Sequence, residues 1–394
     1  MDRSSRREFI ARGALLAAAT AASALPSARA AVPRAKPLRK LLDIGPGGVI
    51  SPGSAQDLRV AGNAGYFTDT GTRWVRMWAD WPSLQPDPDH PPDDVLSPGR
   101  ANVRALDEQV ALANALGIRV LLMPYRFPRW ANGTEPAGGD GRGKAPEYRL
   151  PADAYGPDSS WAGFFSFLYE RYHAGRESGP RIDGFELVNE PNLQLWPQAG
   201  IAREVAQLIK TAQGISARHA HSTMLYAPSI SDDDAPTSER YTRWDEFVPA
   251  LLDELAAIGY LAHSAQAWSH HNYTDVERRR TATNTQAIRA LLAGRWAGHA
   301  EGRTPTVFVT EGGARLSRMP ALYPAEDPRR AQARCLRDAW ALHQGDGGAG
   351  AGVAMFAQYL LYADPNFDCG LLDPYPSTVK RPAYAAWKAF PAYS

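Results

Sequence analysis

Residues 184–192 read Gly-Phe-Glu-Leu-Val-Asn-Glu-Pro-Asn, and residues 306–313 read Thr-Val-Phe-Val-Thr-Glu-Gly-Gly. Each is a short run of β-forming residues that closes on a glutamate just before a residue unsuited to continue a strand, Pro191 in one and Gly312 in the other. Glu190 and Glu311 are therefore predicted at the C-terminal ends of two strands. Two-residue alternation puts Glu186, Val188 and Glu190 on one strand face. Two carboxyl groups facing each other across a cleft can divide a reaction: one gives a proton to a departing oxygen, and the other, ionised, attacks the carbon that the oxygen leaves.

The elements that must hold these residues alternate along the chain. Strand candidates fall at 41–45, 73–78, 118–125, 184–189, 223–229, 265–271, 306–311 and 352–359, and helix candidates near 54–69, 100–116, 158–176, 199–220, 244–258, 280–298, 327–344 and 379–390. Leu106, Val110, Ala113 and Leu116 share a helix face before a stop at Gly117, and Asp158, Ser159 or Ser160 can cap the next helix. Strict strand–helix alternation repeated eight times predicts an α/β fold, a single-domain (β/α)8 TIM barrel over residues 41–394. An open doubly wound sheet is the other topology with this alternation, but no strand is followed by the Gly-x-Gly-x-x-Gly turn usual in its dinucleotide-binding form. In a barrel the strands carrying Glu190 and Glu311, the fourth and seventh, lie across the ring from one another at the active-site end. That is the arrangement glycoside hydrolysis requires.

Composition narrows the classes further. Hydrophobic residues at 44% and charged residues at 22% describe a well-packed globular chain. The first 30 residues carry Ser4-Ser5-Arg6-Arg7-Glu8-Phe9-Ile10, an uncharged run of 16 residues from Gly13 to Ala28, and Ala28-Arg29-Ala30. This resembles a twin-arginine export signal with a small-residue cleavage site, and the run falls short of the roughly 20 residues of a membrane span. A secreted or periplasmic protein without stable membrane insertion is expected, with a linker at 31–40. Without the head's five arginines and two acidic residues, 43 basic and 42 acidic residues become 38 and 40, a net charge of −2. No nucleic-acid partner is expected from that balance. Two cysteines, Cys335 and Cys369, allow one optional bridge and no cysteine-based metal site. Gly138–Ala145 matches Gly-x-x-x-x-Gly-Lys, but Ala145 stands where a phosphate loop needs a hydroxyl, so a rim loop is expected.

With these motifs the chain resembles the clan A glycoside hydrolases, and Phe185-Glu186-Leu187-Val188-Asn189-Glu190-Pro191-Asn192 looks like the strand-4 motif of families 5 and 39. The resemblance implies Glu190 as acid/base and Asn189 as a contact to the sugar 2-hydroxyl. Thr310-Glu311-Gly312 looks like the strand-7 motif, implying Glu311 as nucleophile. His271-Asn272-Tyr273 resembles the strand-6 His-x-Tyr, whose tyrosine orients the nucleophile, and Trp74-Val75-Arg76 resembles the strand-2 segment, whose arginine keeps it ionised. Strand 8 departs from the family's tryptophan floor and offers Phe356, Gln358 or Tyr359 instead.

Independently of the family, a guanidinium such as Arg76 near a nucleophilic carboxylate would lower its pKa, whereas the acid must begin protonated. Trp78, Trp81, Trp130, Trp196 and Trp268, near strand ends, could stack on sugar faces; Trp78, Trp130 and Trp196 are the preferred three. His270 and His271 do not read as a metal pair, because neighbouring strand residues point to opposite faces. The expectation is a monomeric retaining enzyme for a β-linked oligo- or polysaccharide or glycoconjugate, without cofactor or metal. Its rivals are a non-catalytic carbohydrate-binding barrel and a transglycosidase.

Overall fold

The computed structural model describes residues 38–46, 54–134, 144–151, 153, 156–219, 223–259, 267–296, 306–344 and 353–391. The expected signal segment, most of the linker, and the glycine-rich residues 138–143 and 345–352 lie outside them. The strands are β1 (Arg39–Asp43), β2 (Trp74–Asp80), β3 (Arg119–Tyr125), β4 (Gly184–Glu186), β5 (Met224–Ser231), β6 (Ala267–His271), β7 (Thr306–Glu311) and β8 (Met355–Tyr359). All pairings are parallel, in the order β7-β6-β5-β4-β3-β2-β1-β8. Two backbone hydrogen bonds close the seam between the end strands, Ala354 N–H to Val307 O at 2.9 Å and Tyr359 N–H to Gly312 O at 2.7 Å. The ring is the predicted (β/α)8 barrel.

Eight longer helices follow the strands among the described residues: α1 (Asn63–Thr70), α2 (Arg100–Ala115), α3 (Ser160–Tyr172), α4 (Ile201–Ser216), α5 (Trp244–Ala257), α6 (Thr283–Trp296), α7 (Pro328–His343) and α8 (Pro382–Ala389). In α2, Val103, Leu106, Val110 and Ala113 face the strands, and Gly117 at φ 67° ends the segment in the left-handed region as expected. Of the three candidate caps for α3 it is Ser159 whose side chain accepts the Ala162 N–H, at 3.1 Å. The first strand starts at Arg39, inside the stretch read as linker. Lys40 is buried inside β1 with Nζ on the carbonyl of Thr70 at the end of α1, and burial lowers its pKa to about 8.

Side chains fill the bottom of the barrel. Tyr226 meets Phe308 edge-on at 4.9 Å, and the Arg39 guanidinium lies 5.9 Å from Trp74 and 5.8 Å from Phe308. Gly184 makes room for this layer, since a Cβ there would stand 2.5 Å from the Tyr226 ring. Above it the interior turns polar. Pro228 has no N–H to give, and the β5–β6 register shifts between Ala227 and Ile230. Cys335 and Cys369 are both free and buried.

Candidate active site

Arg76, fully buried on β2, organises the C-terminal end of the barrel. Its Nε donates to Glu186 Oε2 at 2.6 Å, Nη1 to Asp43 Oδ2 at 2.5 Å and to Glu311 Oε2 at 2.8 Å, and Nη2 to Asn189 Oδ1 at 2.6 Å. Strands 1, 4 and 7 are thereby tied to strand 2 through one planar fork, a geometry lysine could not supply. Trp78 lies 4.6 Å from the guanidinium and donates its indole N–H to Asp43 Oδ1 at 2.8 Å.

Glu311 reaches this centre because the β6–β7 register slips: His270 pairs with Val309, but His271 pairs with Glu311. Thr310 and Glu311, consecutive residues, therefore both face inward, Thr310 Oγ1 donating to Glu186 Oε1 at 3.0 Å. Tyr273 donates its hydroxyl to Glu311 Oε1 at 3.0 Å, so both oxygens of the carboxyl are held. Burial keeps the Tyr273 phenol well above its usual pKa and hence a donor.

Glu190 arrives by a different route. Regular pairing in β4 stops at Glu186, so the alternation predicted through Glu190 does not persist. Glu190 adopts φ 39°, in the left-handed region rare for a side chain of its kind, and Asn189 and Glu190 both turn inward where a strand would have separated them. Its Oε1 lies 2.9 Å from His271 Nδ1, and its Oε2 accepts from Gln194 Nε2 at 3.0 Å. An oxygen of Glu190, an oxygen of Glu311 and a ring nitrogen of His271 all lie within 4.8 Å of one another. The two carboxyls are thus face to face.

The electrostatics differ from the expectation that Arg76 keeps Glu311 at a low pKa. Burial pushes Glu311 up to about 7, and the nearby Asp43 and Glu190 add to it, against the pull of His271 and Arg76. The reason lies in sharing: one guanidinium serves Asp43, Glu186 and Glu311 together. Burial raises Asp43 as well, opposed by Arg76. Burial opposes the charged form of His271, but Glu311 and Glu190 outweigh it and raise the imidazole above its ordinary value.

Among the described residues, two buried clusters offer three possible ligand atoms each, Glu190–His271–Glu311 and Asp232–His270–Asp275. In the first, the guanidinium on Glu311 already supplies the positive charge that a cation would bring. In the second, the carboxylates are occupied by backbone: Asp232 accepts the N–H groups of Thr274 and Asp275 at 2.8 and 2.9 Å, and Asp275 those of Asn284 and Thr285 at 2.9 and 2.8 Å. His270 points away from His271, its Nε2 meeting Thr285 Oγ1 at 3.1 Å.

Arg76, Asn189, His271, Tyr273 and Trp78 thus gather around the two glutamates as read from sequence, but Trp130 and Trp196 do not. Trp130 donates to Gln85 O at 3.1 Å and packs edge-on against Trp81, while Trp196 donates to Ala145 O at 3.0 Å and lies under Arg149. No contact described for either ring reaches the carboxyl pair. Trp81 and Trp268 are core residues. Of the strand-8 candidates, Phe356 packs outward on Trp340 and Gln358 bonds the Cys369 carbonyl, so Tyr359 is the one beside Trp78 and Tyr125 at the mouth. Asp43, Glu186 and Gln194 carry no role in the sequence reading. Asp43 ends β1 in the structure, whereas the strand read from sequence at 41–45 put it mid-strand. A small pocket of about 10 Å³ lies beside Asn189 and Gln194, lined also by Tyr125, Arg126 and Tyr148 among others.

No protein-family model matches this chain, and no curated protein sequence matches it. Solved structures do. A family 39 glycoside hydrolase from Bacteroides cellulosilyticus superposes with a TM-score of 0.54 at 14% identity, over 91% of this chain and 64% of that one. The fold is that of the barrel glycoside hydrolases. A subfamily 18 member of glycoside hydrolase family 5 from Bifidobacterium longum, in complex with Manβ1-4GlcNAc, gives 0.54 at 13% identity, over 90% and 80% of the two chains. An endo-1,4-β-xylanase from Penicillium canescens gives 0.53 at 12%, over 89% and 92%. This chain spans just under two thirds of the family 39 enzyme's length.

Proposed function

We propose that this chain is a retaining glycoside hydrolase for a β-linked saccharide or glycoconjugate, with Glu311 as nucleophile and Glu190 as acid/base. The observation that carries the reading is the approach of the two carboxyls, oxygen to oxygen within 4.8 Å. Retaining enzymes hold the pair about 5–5.5 Å apart, whereas inverting enzymes need about 6.5–9.5 Å to admit a water.

In the first step Glu311 attacks the anomeric carbon, the glycosidic C–O bond breaks, and its electron pair leaves on the departing oxygen, which takes the proton of Glu190. In the second, Glu190 takes a proton from water as the water oxygen attacks the same carbon, and the Glu311 carboxylate leaves. Tyr273 and Arg76 hold Glu311 on its two oxygens, so the attacking group arrives oriented. Because burial pushes Glu311 up to about 7, it ionises near neutrality, and rate on the acidic side follows its ionisation.

Turnover of a panel of aryl β-glycosides, with the anomer of the first product read by NMR, tests the reading. A 2-deoxy-2-fluoro glycoside is expected to label Glu311, and Glu311→Ala to abolish turnover. Glu190→Ala should lose poor leaving groups far more than activated ones, with azide restoring rate. A folded protein that binds oligosaccharides and cleaves none of the panel overturns the proposal in favour of a binding barrel, and products of transfer to sugar assign a transglycosidase. We also infer export through the twin-arginine route; replacement of Arg6 and Arg7 by lysine should retain the protein in the cytoplasm.

A further inference from the structure

We propose that Gln194 is a positioning residue for Glu190, committing Oε2 of that carboxyl to an accepted hydrogen bond and leaving Oε1 as the oxygen that carries and returns the proton. The inference rests on the assignment of Glu190 as acid/base and adds to it a residue and an atom.

The backbone creates the contact. With Glu190 at φ 39°, the chain turns at once into a helical loop in which the N–H groups of Leu193 and Gln194 both bond the Glu190 carbonyl, at 2.9 and 2.7 Å. Side chains four apart on such a turn lie side by side. Gln194 meets Glu190 for this reason.

The direction of every bond in the chain is then fixed from Arg76. A guanidinium only donates, so the Asn189 atom 2.6 Å from Nη2 is its oxygen. Asn189 must therefore turn its Nδ2 to Gln194, whose Oε1 accepts at 3.1 Å. Gln194 has then only its amide nitrogen left for Glu190, and it donates to Oε2 at 3.0 Å. Flipping the glutamine would set nitrogen against nitrogen and oxygen against oxygen, losing both bonds.

The two oxygens of Glu190 thus have unlike partners. Oε2 faces an amide that can only donate, so a proton there would leave two donors opposed. Oε1 faces the imidazole Nδ1 of His271, which accepts when Glu190 is protonated and donates when it is ionised. The ring can serve both states, because its Nε2 has no hydrogen-bond partner and its nearest acid is Glu186, with Oε1 at 3.9 Å. The charged groups around Glu190 are His271 and Glu311 directly, Arg76 through Asn189, and Glu186 beyond the imidazole. Only Oε1 has a partner compatible with gaining and losing a proton in each turnover.

The test compares two substrates with the same glycone, a dinitrophenyl glycoside and a disaccharide. Gln194 is half-buried and lines the pocket, so a thermal melt accompanies each variant. Gln194→Leu is expected to lower kcat/KM on the disaccharide about ten-fold and to leave kcat/KM on the dinitrophenyl glycoside within about three-fold, since kcat/KM reports the first step, where only the disaccharide's leaving oxygen needs a well-placed proton. Gln194→Glu can accept from Asn189 and donate to Glu190 only while its new carboxyl is protonated, so its rate on the disaccharide should fall with rising pH earlier than the wild type's. Equal losses on both substrates, or none, overturn the proposal. A crystal structure of Gln194→Leu decides it without turnover: Asn189 and Glu190 in unchanged orientations overturn it, and a rotated Glu190 carboxyl supports it. If the wild-type protein cleaves nothing, the enzymatic reading fails while this structural arm still reports on Gln194.

Discussion

Replacing Asp43 with asparagine should move the acidic limb of the pH–rate profile to lower pH. Asp43 Oδ2 and Glu311 Oε2 bond the same guanidinium nitrogen at 2.5 and 2.8 Å, so the two oxygens lie no farther apart than those lengths combined, about 5 Å. At an effective dielectric of about 20, two unit charges at that distance repel by roughly 3 kcal/mol, equivalent to about 2 pH units. The full effect is not expected, because the Arg76 guanidinium between the two carboxyls offsets part of their repulsion; about one pH unit is the working figure. The sign follows from Glu311. Its carboxyl sits near 7, and below that it holds a proton and cannot attack. Removing a neighbouring negative charge lets it ionise in more acidic solution, so relative rate near pH 6 rises. The assay is kcat/KM against pH on a dinitrophenyl glycoside, whose leaving group needs no proton and which reports the free enzyme. A thermal melt checks the fold, since asparagine keeps an oxygen for the Trp78 or Gly45 N–H. A limb that stays in place or moves up refutes the argument that Asp43 and Glu311 compete for one arginine.

Other outcomes follow from single contacts. Tyr273→Phe removes a hydrogen bond to Glu311 Oε1 and should cost about ten-fold in kcat/KM while shifting the acidic limb upward, opposite to Asp43→Asn. Gly184→Ala drives a methyl to 2.5 Å from the Tyr226 ring and should destabilise the barrel by about 1–3 kcal/mol, visible as a lower melting temperature; an unchanged melt contradicts the packing described. Asp275→Ala strips the N-terminus of α6 of the carboxylate that accepts from Asn284 and Thr285, and denaturant titration should show a loss of about 2 kcal/mol.

All eight strands and helices were legible, because their apolar spacing is the same signal that makes them pack. Arg76, His271 and Tyr273 were singled out by their resemblance to family motifs, and Trp78 as an aromatic near a strand end. Glu311 ends β7 as read, whereas Glu190 lies past the end of β4 at Glu186, and the means by which the two turn inward were not readable. One depends on a left-handed backbone and the other on a register slip, and both are tertiary choices that local pattern does not encode. Gln194 is hidden for the same reason: its neighbour is defined by a turn that exists only once φ of Glu190 is known. Trp130 and Trp196 bond rim carbonyls through their indole N–H groups, since proximity to a strand end does not say where a long side chain points.

The fork of Arg76 has an evolutionary consequence. Asp43, Glu186, Asn189 and Glu311 all bond one buried guanidinium, and removing a single partner from such a set leaves charge or polarity stranded at a cost of about 3–5 kcal/mol. A single exchange at any of these five positions therefore carries a penalty until its neighbours adjust, and they are expected to change together. A search for remote kin should accordingly weight the quintet as one character, in preference to the three-residue Asn-Glu-Pro string that any unrelated chain can acquire by drift.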